Sequence, residues 1–442
     1  MKEIKKADSS IKKLLKPQTP QEGTEYVPSL FTLPFSHQGK SYVFHTLTKQ
    51  CLEAVLPEAC SAGMGYDALI ETYFLVPRGK DELALYAGIL ALMKVYGRRE
   101  AIRTYTILPT FACNARCVYC YEEGSVPLTM SAETEEQLVR YILDTCEKDK
   151  PLLIRWFGGE PLLCVNTIDR VSRALTEAGV DFSSSMVSNG SLITSEIVEK
   201  MTGPWKLRDI QISMDGAEED YRRRKRYIEY RGTYRGVMEA VSCMSAAGIS
   251  VSVRCNVDEE NLPSIPRYLE DMREGVENKE RVSIYLSPLY GARYGENDLQ
   301  IWREVLSLAP RIKAAGFRSL SEGDSALEFR IDHCMADKGF PVIAPDGSLY
   351  PCEHCPPETR YGDIRTGVTD GKARAEYCRT DRVREKCRGC AFLPLCTPFA
   401  TCPIGDLYCK QVQEMLTLKA LHRLAEKADR EEDGSSESPP AC

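Results

Sequence analysis

Three cysteines share the segment FACNARCVYCYE at C-x3-C-x2-C spacing: Cys113, Cys117 and Cys120. Iron–sulfur clusters are held by Cys thiolates, and three thiolates from one loop can hold three irons of a [4Fe–4S] cluster. The fourth iron then lacks a protein ligand and is open to a substrate molecule. A structural zinc site calls for four ligands, and no further Cys or His lies close by in sequence. A second, denser group runs from residue 334 to residue 409: Cys334, Cys352, Cys355, Cys378, Cys387, Cys390, Cys396, Cys402 and Cys409. Its C-x2-C pairs also suit a zinc ribbon, the competing reading of that region taken alone.

The chain has 442 residues, 19 of them Cys. Hydrophobic residues make up 43% and charged residues 27%, the balance of a globular protein. Lys and Arg total 57 against 64 Asp and Glu, a net charge of −7, which argues against a nucleic-acid partner. No apolar run is long enough for a membrane span, and the basic start MKEIKKADSSIKKLLKPQ has no signal-peptide core. The expectation is a cytoplasmic protein without membrane contact. Disulfides are rare in that compartment, so metal ligation is the first account of the cysteines. Cys146, Cys164, Cys243 and Cys255 lie in apolar surroundings and read as small buried hydrophobes.

Residues 1–29 read as disordered. Residues 30–100 read as a small unit: strands in FTLPF and KSYVFHTL around the turn HQGK, a helix in TKQCLEAVL, and a helix in DELALYAGILALMKVYG. From 101 to 315, strands at 104–109, 152–157, 184–189, 209–214, 249–257 and 282–289 alternate with helices near 132–147, 165–178, 195–202, 232–247, 263–274 and 298–315. Ser131 suits the N-cap of the first helix. Six strand–helix repeats predict an α/β fold, a partial (β/α)6 TIM-like barrel open on one side. Residues 316–427 are cysteine-rich and loop-rich and end in a helix at 411–427. Residues 428–442 read as a disordered tail.

The C-x3-C-x2-C motif, with the aromatic Tyr119 before its last cysteine and a position at the end of the first barrel strand, resembles the radical S-adenosylmethionine (SAM) family. Ligand sites of parallel barrels lie at the carboxyl ends of the strands. There the sequence places Gly158-Gly159-Glu160, Ser188-Asn189, Ser213, Asp215, Arg254 and Asn256. The resemblance implies that Gly158, Gly159 and Glu160 receive the SAM amine. It implies that Ser188 and Ser213 serve its ribose and polar groups and that Arg254 meets its carboxylate; Tyr119, Asn189, Asp215 and Asn256 are read from their positions as further cofactor-binding candidates. The basic run Arg222–Arg226 reads as a solvated face. The implied chemistry begins with SAM chelating the open iron. One electron, from a donor such as flavodoxin or ferredoxin, cleaves SAM to a 5′-deoxyadenosyl radical that abstracts hydrogen from an unactivated carbon.

Cys334-x12-Gly347-x4-Cys352 and Cys387-x2-Cys390-x5-Cys396 resemble the SPASM extension of that family, which holds two auxiliary [4Fe–4S] clusters and brings the total to three. By this resemblance Cys334, Cys352 and Cys402 hold auxiliary cluster I, and Cys387, Cys390, Cys396 and Cys409 hold cluster II. Cys396-x5-Cys402 is two residues longer than the family spacing. The fourth ligand of cluster I is open between Cys355, Cys378 and a substrate thiolate. His333 and His354 are read as not ligating. The unit at 30–100 resembles the winged-helix-like leader-recognition element of ribosomal-peptide maturases, whose β-edge pairs with an extended peptide. The implied function is a peptide maturase that installs a thioether or carbon–carbon crosslink in a precursor peptide carrying a leader. One alternative is an anaerobic sulfatase-maturating enzyme, with Glu353, directly after Cys352, as catalytic base. The other is a non-enzymatic zinc-stapled peptide-binding protein.

Overall fold

The computed structural model describes residues 2–97, 104–147, 150–228, 233–289, 298–319, 324–329, 340–377, 385–396 and 411–432. The chain divides into two compact units: residues 99–322 with 334–378, and residues 1–98 with 323–333 and 379–442.

The larger unit is built on six parallel strands: β1 (Thr104–Ile107), β2 (Leu152–Trp156), β3 (Phe182–Ser188), β4 (Leu207–Ser213), β5 (Ser250–Val257) and β6 (Val282–Pro288). They lie side by side in sequence order, as the alternating pattern predicts. The strands are joined by helices α1 (Ala132–Thr145), α2 (Val165–Glu177), α3 (Ser195–Thr202), α4 (Glu218–Lys225), α5 (Tyr234–Ala246) and α6 (Ile265–Gly275), with α7 (Asp298–Ala314) after β6. Ser131, Thr194 and Thr233 accept backbone N–H bonds at the starts of α1, α3 and α5, which satisfies donors the helix itself cannot.

Alternate strand residues decide the layering. Ile154, Trp156, Met186, Ile210, Ile212, Val251, Val253 and Ile284 join one core with Leu138, Ile142, Ile168, Leu175, Val241, Leu269 and Ile312 of the helices. The other face carries Arg155, Ser185, Asp209, Gln211, Ser252 and Ser283, which line a single cavity together with Arg318. Arg318 belongs to a short strand, Arg318–Ser319, beyond β6. Five strand spacings separate it from Arg155 in β2, about 24 Å on a flat sheet. Two side chains lining one cavity across that span require the sheet to curl. At the other edge Val342–Ile343 pairs parallel with β1 and continues through Ser348–Tyr350, Gly362–Asp363 and Gly367–Val368. The barrel is therefore partial.

The smaller unit corrects several expectations. The N-terminus is ordered: Lys2–Lys5 is a strand and Ser9–Leu14 a helix. TKQCLEAVL is not helical. Cys51–Glu53 is a strand between Lys40–His45 and Lys2–Lys5, with Thr32–His37 at the far edge. A tight loop forces this, with Lys49 in the left-handed region at φ 61° and His45 N–H bonded to the Gln50 carbonyl at 2.9 Å. A second small sheet combines Cys60–Ser61, Glu25–Pro28 and Leu75–Pro77. The last helix runs from Gln411 to Glu432, past the expected end; Leu421 and Ala425 pack on Phe35, Tyr42 and Phe44, and Asp429 in the added turn pairs with Lys40 at 2.7 Å. The cysteine-rich stretch is also not one domain, since 334–378 belongs to the barrel unit and 379–442 to the other. Cys243, expected to be buried, is exposed.

His45 is wholly buried, and burial pushes its pKa down to about 3. The unfolded chain binds this proton near pH 6.5 and the folded chain does not. Stability is therefore complete above pH 6.5 and is lost as pH falls toward 3, at up to about 1.4 kcal/mol per pH unit. His45→Asn, which keeps an acceptor for the Thr48 N–H that His45 Nδ1 receives at 3.1 Å, flattens that slope. Urea midpoints between pH 6.5 and 4.5 measure it, and equal slopes for both proteins would exclude His45 as the acid-labile group.

Candidate active site

The loop after β1 carries the three cysteines, all partly exposed and none in a disulfide. The loop is held through its backbone. Val118 N–H donates to Arg224 O at 3.0 Å, Arg116 N–H to Lys225 O at 3.1 Å, and Ile228 N–H to Asn114 O at 2.9 Å. Arg226, in the left-handed region at φ 48°, ends α4 and turns the chain back along the loop. The other side is held by the glycines after β2. Gly159 N–H donates to Thr110 O at 3.0 Å and Glu160 N–H to Ala112 O at 2.9 Å.

A Cβ on Gly159 would lie 2.2 Å from Ala112 O, and one on Gly158, at φ 112°, 2.4 Å from Thr110 O. These glycines are required so that backbone can pack on backbone. Gly159→Ala displaces the cysteine loop, because no rotamer relieves a clash with a carbonyl; the cost is about 1–3 kcal/mol. Iron retained per chain after reconstitution should fall by up to about four atoms, the share of this loop, and SAM turnover about tenfold or more. Gly371→Ala, which meets nothing within 4 Å, should leave both unchanged; a Gly159→Ala protein matching that control would refute the packing role.

Glu160 caps the turn that follows, accepting Leu162 N–H at 3.2 Å. It is fully buried and also accepts Ser188 Oγ–H and Asn189 N–H, each at 2.8 Å. Burial pushes its pKa up. Asn189 reaches from there to the cysteine loop, donating to Asn114 Oδ1 at 2.8 Å with its Nδ2 3.9 Å from Cys113 Sγ. The ends of β2 and β3 and the first cysteine thus form one hydrogen-bonded group.

A second group surrounds Asp215, which has no exposed surface. Its Oδ1 accepts Asn256 N–H at 2.9 Å and Asn256 Nδ2–H at 3.1 Å. Its Oδ2 accepts the Tyr119 hydroxyl in a short hydrogen bond and lies 3.2 Å from Lys225 Nζ. Lys225 Nζ donates also to Ser213 Oγ at 2.8 Å and Tyr119 Oη at 3.0 Å. Burial by itself would lower the Lys225 pKa; Asp215 and Tyr119 hold it well above the usual ammonium value. Beside it Arg224 Nη1 donates to both carboxylate oxygens of Asp258, at 3.0 and 2.9 Å.

The basic run is therefore not a solvated face: Arg224 and Lys225 are buried, while Arg222, Arg223 and Arg226 are exposed. A helix at 218–225 was absent from the sequence reading. The available signal was spacing, since Tyr221, Arg224 and Lys225 at i, i+3 and i+4 share one helical face with an aromatic. Arg254 donates to Ser287 Oγ at 3.1 Å, and its Nε is buried without a partner, a donor suited to a carboxylate.

After the cysteine loop, Tyr121 and His354 face each other with ring centroids 4.0 Å apart. Cys352 is buried, and Glu353 and Cys355 are half-buried, Cys355 in the left-handed region at φ 43°. Burial raises the Cys355 thiol. In the smaller unit Cys387 is buried and Cys390 and Cys396 partly so. Cys334, Cys378, Cys402, Cys409 and His333 lie outside the described residues. Among the described residues no three His, Cys, Asp or Glu side chains gather around a single ion. A cluster gives each thiolate an iron of its own, so the donor set Cys113, Cys117 and Cys120 fits one.

Residues 107–272 match the Radical SAM superfamily. The chain carries a radical SAM domain. An uncharacterized protein of Archaeoglobus fulgidus is 25% identical over 73% of this chain and 79% of its own length. The radical SAM cyclopropyl synthase TigE of Paramaledivibacter caminithermalis is 33% identical, over 23% of this chain and 25% of its own length. The serine-type anaerobic sulfatase-maturating enzyme of Klebsiella aerogenes is 23% identical over 64% of this chain and 76% of its own. Among solved structures, anSMEcpe with bound AdoMet superposes with a TM-score of 0.60 at 18% identity, covering 74% of this chain and 99% of that one. SuiB of Streptococcus suis bound to precursor peptide SuiA gives 0.50 at 14%, covering 84% and 94%. These likenesses show a radical SAM fold with a parallel sheet. The chain is thus a radical SAM enzyme, and among its described residues no helix is long and apolar enough to cross a membrane.

Proposed function

We propose that this radical SAM enzyme is a peptide maturase acting on a ribosomally made precursor. The observation that carries the reading is the cysteine loop clamped between Gly158-Gly159-Glu160 and the end of α4, together with the partnerless buried donor of Arg254 on β5. Cluster and SAM together would supply the radical that removes hydrogen from an unactivated carbon. This chain's residues would do the rest. Cys113, Cys117 and Cys120 hold three irons. Gly158, Gly159 and Glu160 keep the loop close to the strand ends. Ser188, Asn189, Ser213, Asp215, Asn256 and Tyr119 set the polar walls for SAM, and Arg254 meets its carboxylate. SuiB bound to precursor peptide SuiA and anSMEcpe bound to the Cp18Cys peptide support a peptide substrate. Cys334, Cys352, Cys355, Cys387, Cys390, Cys396, Cys402 and Cys409 would hold two auxiliary clusters that accept the second electron. The smaller unit would receive the leader. A cytoplasmic flavodoxin or ferredoxin is the proposed electron donor.

One observation favours a second reading. Glu353 is half-buried directly after Cys352, as a base for oxidising Cys or Ser to formylglycine would be, and the chain resembles a sulfatase-maturating enzyme. Anaerobic reconstitution and co-expression with candidate peptides separate the readings by mass and carbonyl reactivity. Loss of two hydrogens per crosslink with no hydrazide-reactive group supports the first; a hydrazide-reactive aldehyde, about eighteen mass units lighter than a Cys or two hydrogens lighter than a Ser, supports the second. Stoichiometric zinc, no iron and no 5′-deoxyadenosine release would refute both.

A further inference from the structure

The cavity on the inner face of the barrel is unused by the chemistry above. In closed barrels that space is filled by layers of bulky branched side chains. Here Ser185, Ser252 and Ser283 occupy inward positions of β3, β5 and β6, and a cavity of about 200 Å³ remains. Arg155 and Arg318 face it with Asp209, two guanidinium groups against one carboxylate. Among the described residues neither arginine is in an ion pair within 4 Å or donates a side-chain hydrogen bond; Arg155 lies over the Phe157 ring at 6.0 Å and its charge acts on Asp209, whose pKa burial raises and Arg155 lowers. Unpaired guanidinium groups and serine hydroxyls around a small space are donors arranged for an anion. The volume suits one side chain and not a folded segment.

The depth of the cavity is set by strand geometry. Ser252 lies two residues before Arg254 in β5, and Asp209 four before Ser213 in β4. At about 3.3 Å per residue the cavity is about 7–13 Å below the strand ends where SAM is placed. An extended peptide has the same rise and covers that distance in two to four residues. We propose that this cavity is a specificity pocket for the carboxylate side chain of an Asp or Glu in the peptide substrate, two to four residues from the residue that loses hydrogen. The proposal rests on the peptide-maturase reading and deepens it.

The test uses reconstituted full-length protein with SAM and four probes: N-acetyl-aspartyl-glycinamide, N-acetyl-glutamyl-glycinamide and their Asn and Gln counterparts, titrated by NMR. At least one acidic probe should bind about tenfold more tightly than its amide. Arg155→Gln and Arg318→Gln should each reduce that preference to about twofold or less, while SAM cleavage without peptide is unchanged. Arg318 is exposed at a sheet edge, so its variant folds even if Arg155→Gln does not. Equal binding of acid and amide by the native protein, or a preference that survives both substitutions, overturns the pocket. Absence of SAM cleavage by the native protein would instead overturn the underlying reading.

Discussion

Replacing Cys113, Cys117 and Cys120 together with Ala yields a folded protein that releases no 5′-deoxyadenosine from SAM. The fold survives because the three side chains are partly exposed and belong to no core cluster. The loop is held by backbone bonds from Gly159, Glu160, Val118 and Ile228, which Ala leaves in place. Burial pushes the Cys113 thiol up to about 11, so without metal it is a neutral group whose loss leaves no buried charge. Iron per chain should fall by about four atoms, from about twelve if both auxiliary clusters form. Iron analysis, circular dichroism and chromatographic detection of 5′-deoxyadenosine check the three parts separately. SAM cleavage at the native rate would refute the assignment of the open iron to this loop.

Lys225→Met destabilises the barrel unit by about 3–5 kcal/mol, because it leaves the Asp215 carboxylate buried without its cation. In a domain of this size that lowers Tm by on the order of 10 °C. Asp215 keeps its bonds from Asn256 and Tyr119, but the cation left in its neighbourhood, Arg224, is already paired with Asp258. Lys225→Met with Asp215→Asn restores about half the loss or more, since the double variant buries no net charge. If the two losses simply add, the pair is not the source of stability. Lys225 also sits on Tyr119 and Ser213, so Lys225→Met should weaken SAM binding more than heat stability alone explains, measured as Kd well below Tm.

The parallel strands were legible because each is a short run bounded by turn residues, with helical periodicity between. The cysteine loop was legible because ligand number and spacing are local properties. The capping role of Glu160 also rests on a local signal, since it directly precedes Pro161 at the start of a short helix. What could not be read locally were partners distant in sequence. Lys225 and Asp215, ten residues apart, meet Tyr119 only because α4 returns to the cysteine loop. Cys51–Glu53 has helix-compatible residues but is held as a strand by Lys2–Lys5 and Lys40–His45.

The sequence by itself determined the order of the six barrel strands, the three-thiolate loop and the glycines beside it, because each is set by a short local run of residues. Only the tertiary structure decided which charges are buried, that Asp215 and Lys225 form a pair, and that Arg155 and Arg318 face one cavity. Those outcomes depend on the curl of the sheet and on desolvation, and neither is a property of any short segment.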